Sequence, residues 1–156
     1  ADLQALGADI VHVFDAASPT AAAELRQRVD EVCGTDGVRY AIDPVGGATG
    51  SAIIGCLGSG GRLIVYGTLS PEPLVFSSRT LMTHGARVEG FWLSRYMADQ
   101  SLLGKLKIVG ELTKGLKSGV LTSEVGEVFP LDQVQAAVRA AEAPGKAGKI
   151  VLRLST

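Results

Sequence analysis

Residues 38–47 read VRYAIDPVGG, a short run that is rich in β-branched and aromatic residues and then changes to residues typical of turns. The first six residues favour a strand. Asp43-Pro44 followed by Gly46-Gly47 favours a loop. Apolar residues at Ile53, Ile54 and Leu57 then form a face of a helix. This stretch therefore predicts a strand, a glycine-containing loop and a helix in succession, which is the repeating unit of an α/β sheet.

The segment on the amino-terminal side of this unit continues the same alternation. Residues 9–15 read DIVHVFD and predict a strand. A helix follows, with Ser18 as its expected N-cap, Pro19 at its first position and Gly34 at its end.

The segment on the carboxyl side repeats the pattern. Arg62–Tyr66 and Ala86–Leu93 predict strands, Ser77–His84 predicts a short helix, and Gly58–Gly61 predicts a loop. Strands that alternate with helices indicate parallel pairing through right-handed crossovers, so the sequence predicts a doubly wound α/β sheet. A longer amphipathic helix over residues 102–116 follows, with leucine and valine at steps of three and four.

The last part of the chain has a different texture. Val125–Phe129 predicts an extended segment, and Pro130-Leu131-Asp132 predicts the start of a helix. Lys149–Leu154 predicts a final strand. We therefore expect two parts, residues 1–121 in the sheet domain and residues 122–156 in a second domain.

Composition excludes several classes of function. The 156 residues are 46% hydrophobic and 20% charged with a net charge of −1, so the chain can bury a core and lacks the positive excess of a nucleic-acid binder. No apolar run approaches the ~20 residues of a membrane span. The two cysteines, Cys33 and Cys56, form no CxxC motif, so neither a zinc site nor a disulfide scaffold is indicated, and a reducing cytoplasm is the expected location.

Three strand ends are candidates for a binding site. Ligands of open parallel sheets bind beyond the carboxyl ends of the strands, where this sequence has Val45-Gly46-Gly47, Gly67-Thr68-Leu69 and Phe91-Trp92-Leu93. Glycine there allows a flat ligand to approach the backbone. An equally simple interpretation is that these glycines only form tight turns and that the aromatic residues pack in the core.

Motifs for phosphate binding and nucleophilic catalysis are missing from the sequence. The nearest approach to GxGxxG is residues 58–63, where Leu63 stands in place of the third glycine and a strand follows instead of a helix. Neither a P-loop nor a GxSxG elbow occurs. His12 and His84 have no partner residues nearby in sequence, so no catalytic residue can be nominated from the residues.

The order of the motifs resembles the medium-chain dehydrogenase/reductase superfamily from the first residue to nearly the last. The resemblance rests on five segments: Leu6–Asp9, Tyr40–Gly47, Gly60–Gly67, Gly90–Leu93 and Gly148–Leu152. The segment Gly90–Tyr96 is similar to the branch of quinone oxidoreductases and enoyl reductases that do not use zinc. On this resemblance the chain is the carboxy-terminal portion of such an enzyme.

The resemblance implies a partial Rossmann sheet followed by a return into a GroES-like substrate domain. It implies hydride transfer from NADPH, with NAD as the other possible cofactor, to a quinone or an activated enone or enoyl substrate. The pyrophosphate loop and two strands of the sheet would precede Ala1, so the chain alone is expected to be inactive. No zinc is expected in this chain, and any proton donor would come from the missing domain.

The resemblance also assigns expected cofactor contacts and a partner. Val45–Gly47 would lie beside the ribose or adenine, Gly67–Leu69 near the nicotinamide ribose, and Phe91–Leu93 near the carboxamide, while Gly148 and Lys149 would close the site. A small-molecule substrate and a homodimer are expected, without nucleic acid or membrane. The alternatives left open are a fragment of a zinc-type alcohol dehydrogenase and a non-catalytic dimerisation module.

Overall fold

A computed structural model describes residues 3–143, 145 and 148–154 of the chain. Its contacts divide the chain into two compact units. Residues 9–99 form the first unit, and residues 1–8 together with 100–156 form the second. This division by contacts falls at a different place from the boundary expected between residues 121 and 122. The expected boundary separates a cofactor-binding domain from a substrate domain, and it stays a prediction.

The first unit contains a parallel sheet of three strands in the order β1-β2-β3. Ala41 of β1 is paired with Leu63 of β2, which in turn is paired with Val88 of β3. The strands are β1 (Val38–Asp43), β2 (Leu57–Val65) and β3 (Arg87–Gly90). The predicted α/β fold with parallel strands is therefore confirmed.

Four helices belong to this unit: α1 (Ala21–Cys33), α2 (Gly47–Gly55), α3 (Ser78–His84) and α4 (Leu93–Ala98). Helix α3 has the predicted length within one residue. Ser77 is its N-cap and accepts a hydrogen bond from the Arg79 backbone N–H at 3.3 Å, and Gly85 ends it in the left-handed conformation at φ 58°.

The core of the first unit lies between the sheet and its helices. Ile54 of α2, together with Leu57 and Leu63 of β2, is fully buried. Partly buried residues from every strand pack against them, including Ala41 and Val88. Burial of a side chain of this size stabilises the fold by about 1.5–3 kcal/mol, so this cluster holds α2 and β2 together.

The strand predicted at residues 9–15 is wrong. This segment has no regular secondary structure, and Val13 is exposed. The His12 and Phe14 rings stack with centroids 6.1 Å apart, as expected for residues two apart in an extended chain. The segment lacks a hydrogen-bonded neighbour among the described strands, and without one an extended segment is not a strand.

The predicted loop at Gly58–Gly61 is also wrong, because these residues lie inside β2. The register between β1 and β2 shifts between Val38 and Tyr40, and Gly60 adopts φ 66°. Extra residues on one strand with a glycine in the left-handed region are characteristic of a bulge. A turn-like composition therefore marks an irregular strand here.

Two boundaries differ from the predictions as well. Helix α1 begins at Ala21 instead of Pro19, because the Ser18 carbonyl accepts the Ala21 N–H in a preceding turn. Strand β3 ends at Gly90 instead of Leu93: Phe91 and Trp92 belong to no regular element, and Leu93 begins α4. Trp92 caps α4 without a side-chain hydrogen bond, so no capping residue in the sequence marked this helix.

The second unit contains α5 (Leu102–Lys117), β4 (Val125–Pro130), α6 (Val134–Glu142) and β5 (Lys149–Arg153). Strands β4 and β5 pair in parallel, with Phe129 opposite Leu152. A short 3-10 turn, Leu131–Gln133, precedes α6. The predictions of the long helix and of both strands are confirmed.

Candidate functional site

A groove of about 620 Å³ lies at the carboxyl ends of β2 and β3. The residues that line it come from two consecutive segments, one after each strand. They are Val65, Tyr66, Gly67, Thr68, Gly90, Phe91, Trp92, Leu93, Ser94 and Arg95. The groove is where a parallel sheet is expected to bind its ligand.

Backbone hydrogen bonds hold the strand ends that form this groove. The Phe91 N–H donates to the Val65 carbonyl at 2.8 Å, which extends the pairing of β3 with β2 by one residue. The Tyr66 N–H donates to the Asp43 carbonyl at 3.0 Å on the other side. The floor of the groove is therefore part of the sheet.

The loop after β1 is held by a buried carboxylate. Asp43 is fully buried, and its Oδ1 accepts the Val45 N–H at 2.8 Å and the Gly46 N–H at 3.1 Å. Hydrogen bonds to backbone N–H groups compensate for the burial of such a group. Asp43 therefore organises the loop from beneath it.

The loops after β1 and β2 are also joined to each other. The Ser70 N–H donates to the Val45 carbonyl at 2.8 Å, and the Leu69 N–H donates to the Pro44 carbonyl at 3.3 Å. A Cβ at Gly67 would collide with the Pro44 carbonyl oxygen. Glycine is needed at this position because the two backbones are in contact.

The structure brings together five of the predicted cofactor contacts. Gly67, Thr68 and the segment Phe91–Leu93 line the groove. Val45, Gly46, Gly47 and Leu69 do not line it, although hydrogen bonds connect their loops to it. Their predicted roles in binding stay predictions.

Gly148 and Lys149 belong to the second unit. They line a different cavity of about 480 Å³, together with Leu6, Glu124 and other residues of that unit. Gly148 adopts φ 70°, and a Cβ there would meet the Gly126 amide nitrogen at 2.6 Å. The glycine therefore permits close contact between two backbones of this unit.

Five residues of the groove were not predicted as site residues: Val65, Tyr66, Gly90, Ser94 and Arg95. Ser94 and Arg95 were assigned no role because α4 was not foreseen. Their position directly after Phe91-Trp92-Leu93 could have indicated them as site residues, because residues that follow the carboxyl end of a strand lie at the same edge of the sheet as that end. Arg95 is the one charged residue among the ten that line the groove.

The groove offers surfaces suited to a flat, partly polar ligand. Phe91 and Tyr96 contact each other with ring centroids 5.4 Å apart, and the Trp92 side chain is 74% exposed. Aromatic faces bind planar rings, and Thr68 and Ser94 add hydroxyl groups that donate and accept hydrogen bonds.

The cysteines lie elsewhere in the first unit. Cys56 is buried, and burial raises the pKa of its thiol. Its Sγ lies 3.4 Å from the Ala52 carbonyl oxygen, to which the thiol donates. A thiol held neutral in this way is a packing group and a poor nucleophile.

Neither a metal cluster nor a membrane helix is found in the part of the chain that the structure describes. No three His, Cys, Asp or Glu residues within residues 3–143, 145 and 148–154 are grouped so that they could hold a metal ion. In the same residues no helix has the length and apolar character needed to cross a bilayer.

Comparisons with known proteins give a consistent result. The chain matches the zinc-binding dehydrogenase family over residues 6–152. The human mitochondrial enoyl-acyl-carrier-protein reductase is 28% identical over 116 residues, which are 74% of this chain and 31% of that protein. This chain thus spans about a third of the length of the curated relatives it matches.

Solved structures extend the similarity to the whole fold. A mycobacterial protein complexed with NADPH is similar at a TM-score of 0.77 and 26% identity, covering 95% of this chain and 43% of that one. A 2-haloacrylate reductase is similar at a TM-score of 0.71 and 26% identity, covering 85% of this chain and 41% of that one.

Proposed function

We propose that this member of the zinc-binding dehydrogenase family, within the medium-chain dehydrogenase/reductase superfamily, is part of an oxidoreductase. The proposed reaction transfers a hydride from NADPH to an activated enone, an enoyl thioester or a quinone. The observation that carries the proposal is the groove at the ends of β2 and β3, with its five foreseen residues. Two of the relatives named above are reductases by name, and the third was solved with NADPH bound, which favours this function over an alcohol dehydrogenase or a dimerisation module.

NADPH supplies the hydride, and the described residues supply a surface on which its nicotinamide ring can be held. Glycines at positions 67 and 90 leave the backbone accessible from the groove. Phe91 and Trp92 would offer aromatic contact to such a ring. Thr68 and Ser94 also line the groove, and their hydroxyl groups would be available to hydrogen-bond a polar ligand.

We propose that the described residues act by orienting the cofactor and the substrate. In the described part of the chain no group of three His, Cys, Asp or Glu side chains could hold a metal ion. We also propose that this chain by itself binds NADPH weakly and does not turn over substrate, because its sequence contains no GxGxxG loop for the pyrophosphate.

Fluorescence titration tests the proposal directly. Trp92 is the one tryptophan in the sequence, and it lines the groove. Reduced nicotinamide absorbs where tryptophan emits, so bound NADPH should quench Trp92. Because binding by this chain is expected to be weak, the titration extends to millimolar NADPH. Quenching that exceeds that of free tryptophan and curves toward saturation supports the proposal, and a response equal to that of free tryptophan throughout contradicts binding in this groove.

A matched pair of variants assigns the quenching to the groove. A Cβ at Gly90 or at Gly55 meets no atom within 4 Å, so neither substitution causes a clash at the Cβ. Only Gly90 lines the groove. Gly90→Val should abolish saturable quenching, whereas Gly55→Val should leave it unchanged.

The proposed assembly is a homodimer. Strand β3 pairs with β2 alone among the described strands, and an open edge of a sheet favours association. Light scattering of the purified chain should give twice the monomer mass. A monomer at all concentrations would contradict this proposal without affecting the catalytic one.

The proposed location is the cytoplasm. Cys33 is exposed and Cys56 is buried, and both are free thiols, as is usual in a reducing compartment. The human relative is mitochondrial by name. A fluorescent fusion that colocalises with mitochondria instead would overturn this assignment.

A further inference from the structure

The charge in the groove is carried by a single residue. Nine of the ten lining residues are uncharged, and Arg95 is the exception. Its guanidinium makes no ion pair within the described part of the chain, although the structure contains other arginine–carboxylate pairs, such as Arg62–Glu89 at 3.3 Å. Asp99, one helical turn further, contacts Arg95 only through its backbone N–H, which donates to the Arg95 carbonyl at 3.1 Å.

The surroundings of Arg95 are suited to an amphipathic anion. Phe91, Trp92 and Leu93 give the groove an apolar and aromatic wall next to Arg95. A guanidinium binds a carboxylate or a phosphate through two parallel hydrogen bonds. Arg95 and the three wall residues are exposed, so a ligand from solvent can reach them, and the attraction is of the size found at a protein surface.

We propose that Arg95 determines substrate specificity by binding an anionic group, a carboxylate or a phosphate, on the acceptor substrate. The proposal rests on the oxidoreductase function proposed above. Leu93 would hold the carbon chain that carries the double bond, and Arg95 would hold the anionic end. Phe91 and Trp92 would then stay available to the nicotinamide ring. A neutral quinone would lack this second contact and would bind more weakly.

The test uses the whole 156-residue chain with Trp92 fluorescence as its readout. The probes are trans-2-hexenoate and its neutral amide, which have the same carbon chain and differ in charge. The wild-type chain should bind hexenoate more tightly than the amide, and added salt should weaken only hexenoate binding. Equal affinities, or no binding of either probe, would overturn the proposal.

Three variants assign the preference to one residue. Arg95→Gln should lower the affinity for hexenoate about fivefold, as expected for a charged contact at a protein surface, and should leave the amide unchanged. Arg95→Lys keeps the charge without the planar fork and should give an intermediate loss. Arg87→Gln makes the same change of charge at the start of β3, outside the groove, and should have no effect.

Parallel NADPH titrations separate this proposal from the function on which it rests. If Arg95→Gln weakens NADPH and spares hexenoate, Arg95 serves the cofactor phosphates and the proposal is wrong. If the wild-type chain prefers hexenoate but its Trp92 responds to millimolar NADPH only as free tryptophan does, the anion site stands and the proposed nicotinamide site in this groove fails.

Discussion

At the scale of single residues, Gly67 has the clearest steric role in the site. Its φ lies outside the left-handed region, and the Cβ of any other residue would meet the carbonyl oxygen, carbonyl carbon and Cα of Pro44. These are backbone atoms, which cannot move aside without breaking the hydrogen bonds between the loops after β1 and β2. The requirement for glycine therefore comes from the contact between two loops.

We predict that Gly67→Ala lowers the free energy of unfolding by about 1–3 kcal/mol, as expected for an overpacked site. Gly90→Ala is the matched control, because a Cβ there meets nothing within 4 Å and alanine reduces the entropy of the unfolded chain. Urea unfolding of the three proteins measures the difference. Equal midpoints for Gly67→Ala and the wild type would mean that the loops separate easily.

At the scale of elements, α3 tests how much a single cap contributes. The Ser77 side chain accepts one of the unpaired N–H groups of this seven-residue helix, and Leu81 of α3 packs against the core cluster. Ser77→Ala should cost about 1 kcal/mol of stability. Ser123→Ala removes an exposed hydroxyl without a cap and should cost nothing measurable by the same urea unfolding. Equal losses in both variants would assign the effect of Ser77→Ala to something other than capping.

The elements also show what the sequence could and could not predict. Helix α3 was predictable because its signals, the Ser77 cap and Gly85, are local. The strand at residues 9–15 was not, because strand-like residues form a strand only when a neighbour supplies hydrogen bonds, and the sequence does not reveal its neighbours. Helix α4 was missed since it follows Trp92 without a polar cap.

The same distinction applies to the candidate site. The strand ends were predictable from where parallel sheets bind ligands, and Gly67, Thr68 and Phe91–Leu93 do line one groove. Arg95 was not nominated, because its place in the groove depends on the turn from β3 into α4. The predicted contributions of Gly148 and Lys149 depend on the second unit and are still predictions.

At the scale of the whole molecule, the two units differ in how much apolar surface they bury. The first unit contains the fully buried cluster Ile54, Leu57 and Leu63, whereas Ala137 is the one buried hydrophobic residue among the described residues of the second unit. Six of the seven leucine, isoleucine and valine residues of α5 are between 51% and 78% exposed, and only Ile108 is partly buried. The six are Leu102, Leu103, Leu106, Val109, Leu112 and Leu116. Stability in a protein is not uniform, and regions with little apolar burial open more readily.

We therefore predict that amide hydrogens exchange slowest in β2 and at least tenfold faster in α5, where helical hydrogen bonds lack support from packing. Hydrogen exchange followed by mass spectrometry measures both segments in one sample, with α2 as a packed helical control that should resemble β2. Equal protection of α5 and β2 would contradict the prediction and would mean that another surface covers the apolar face of α5. Repeating the exchange at tenfold dilution would then show whether that surface belongs to a second copy of the chain, since protection from self-association falls with concentration.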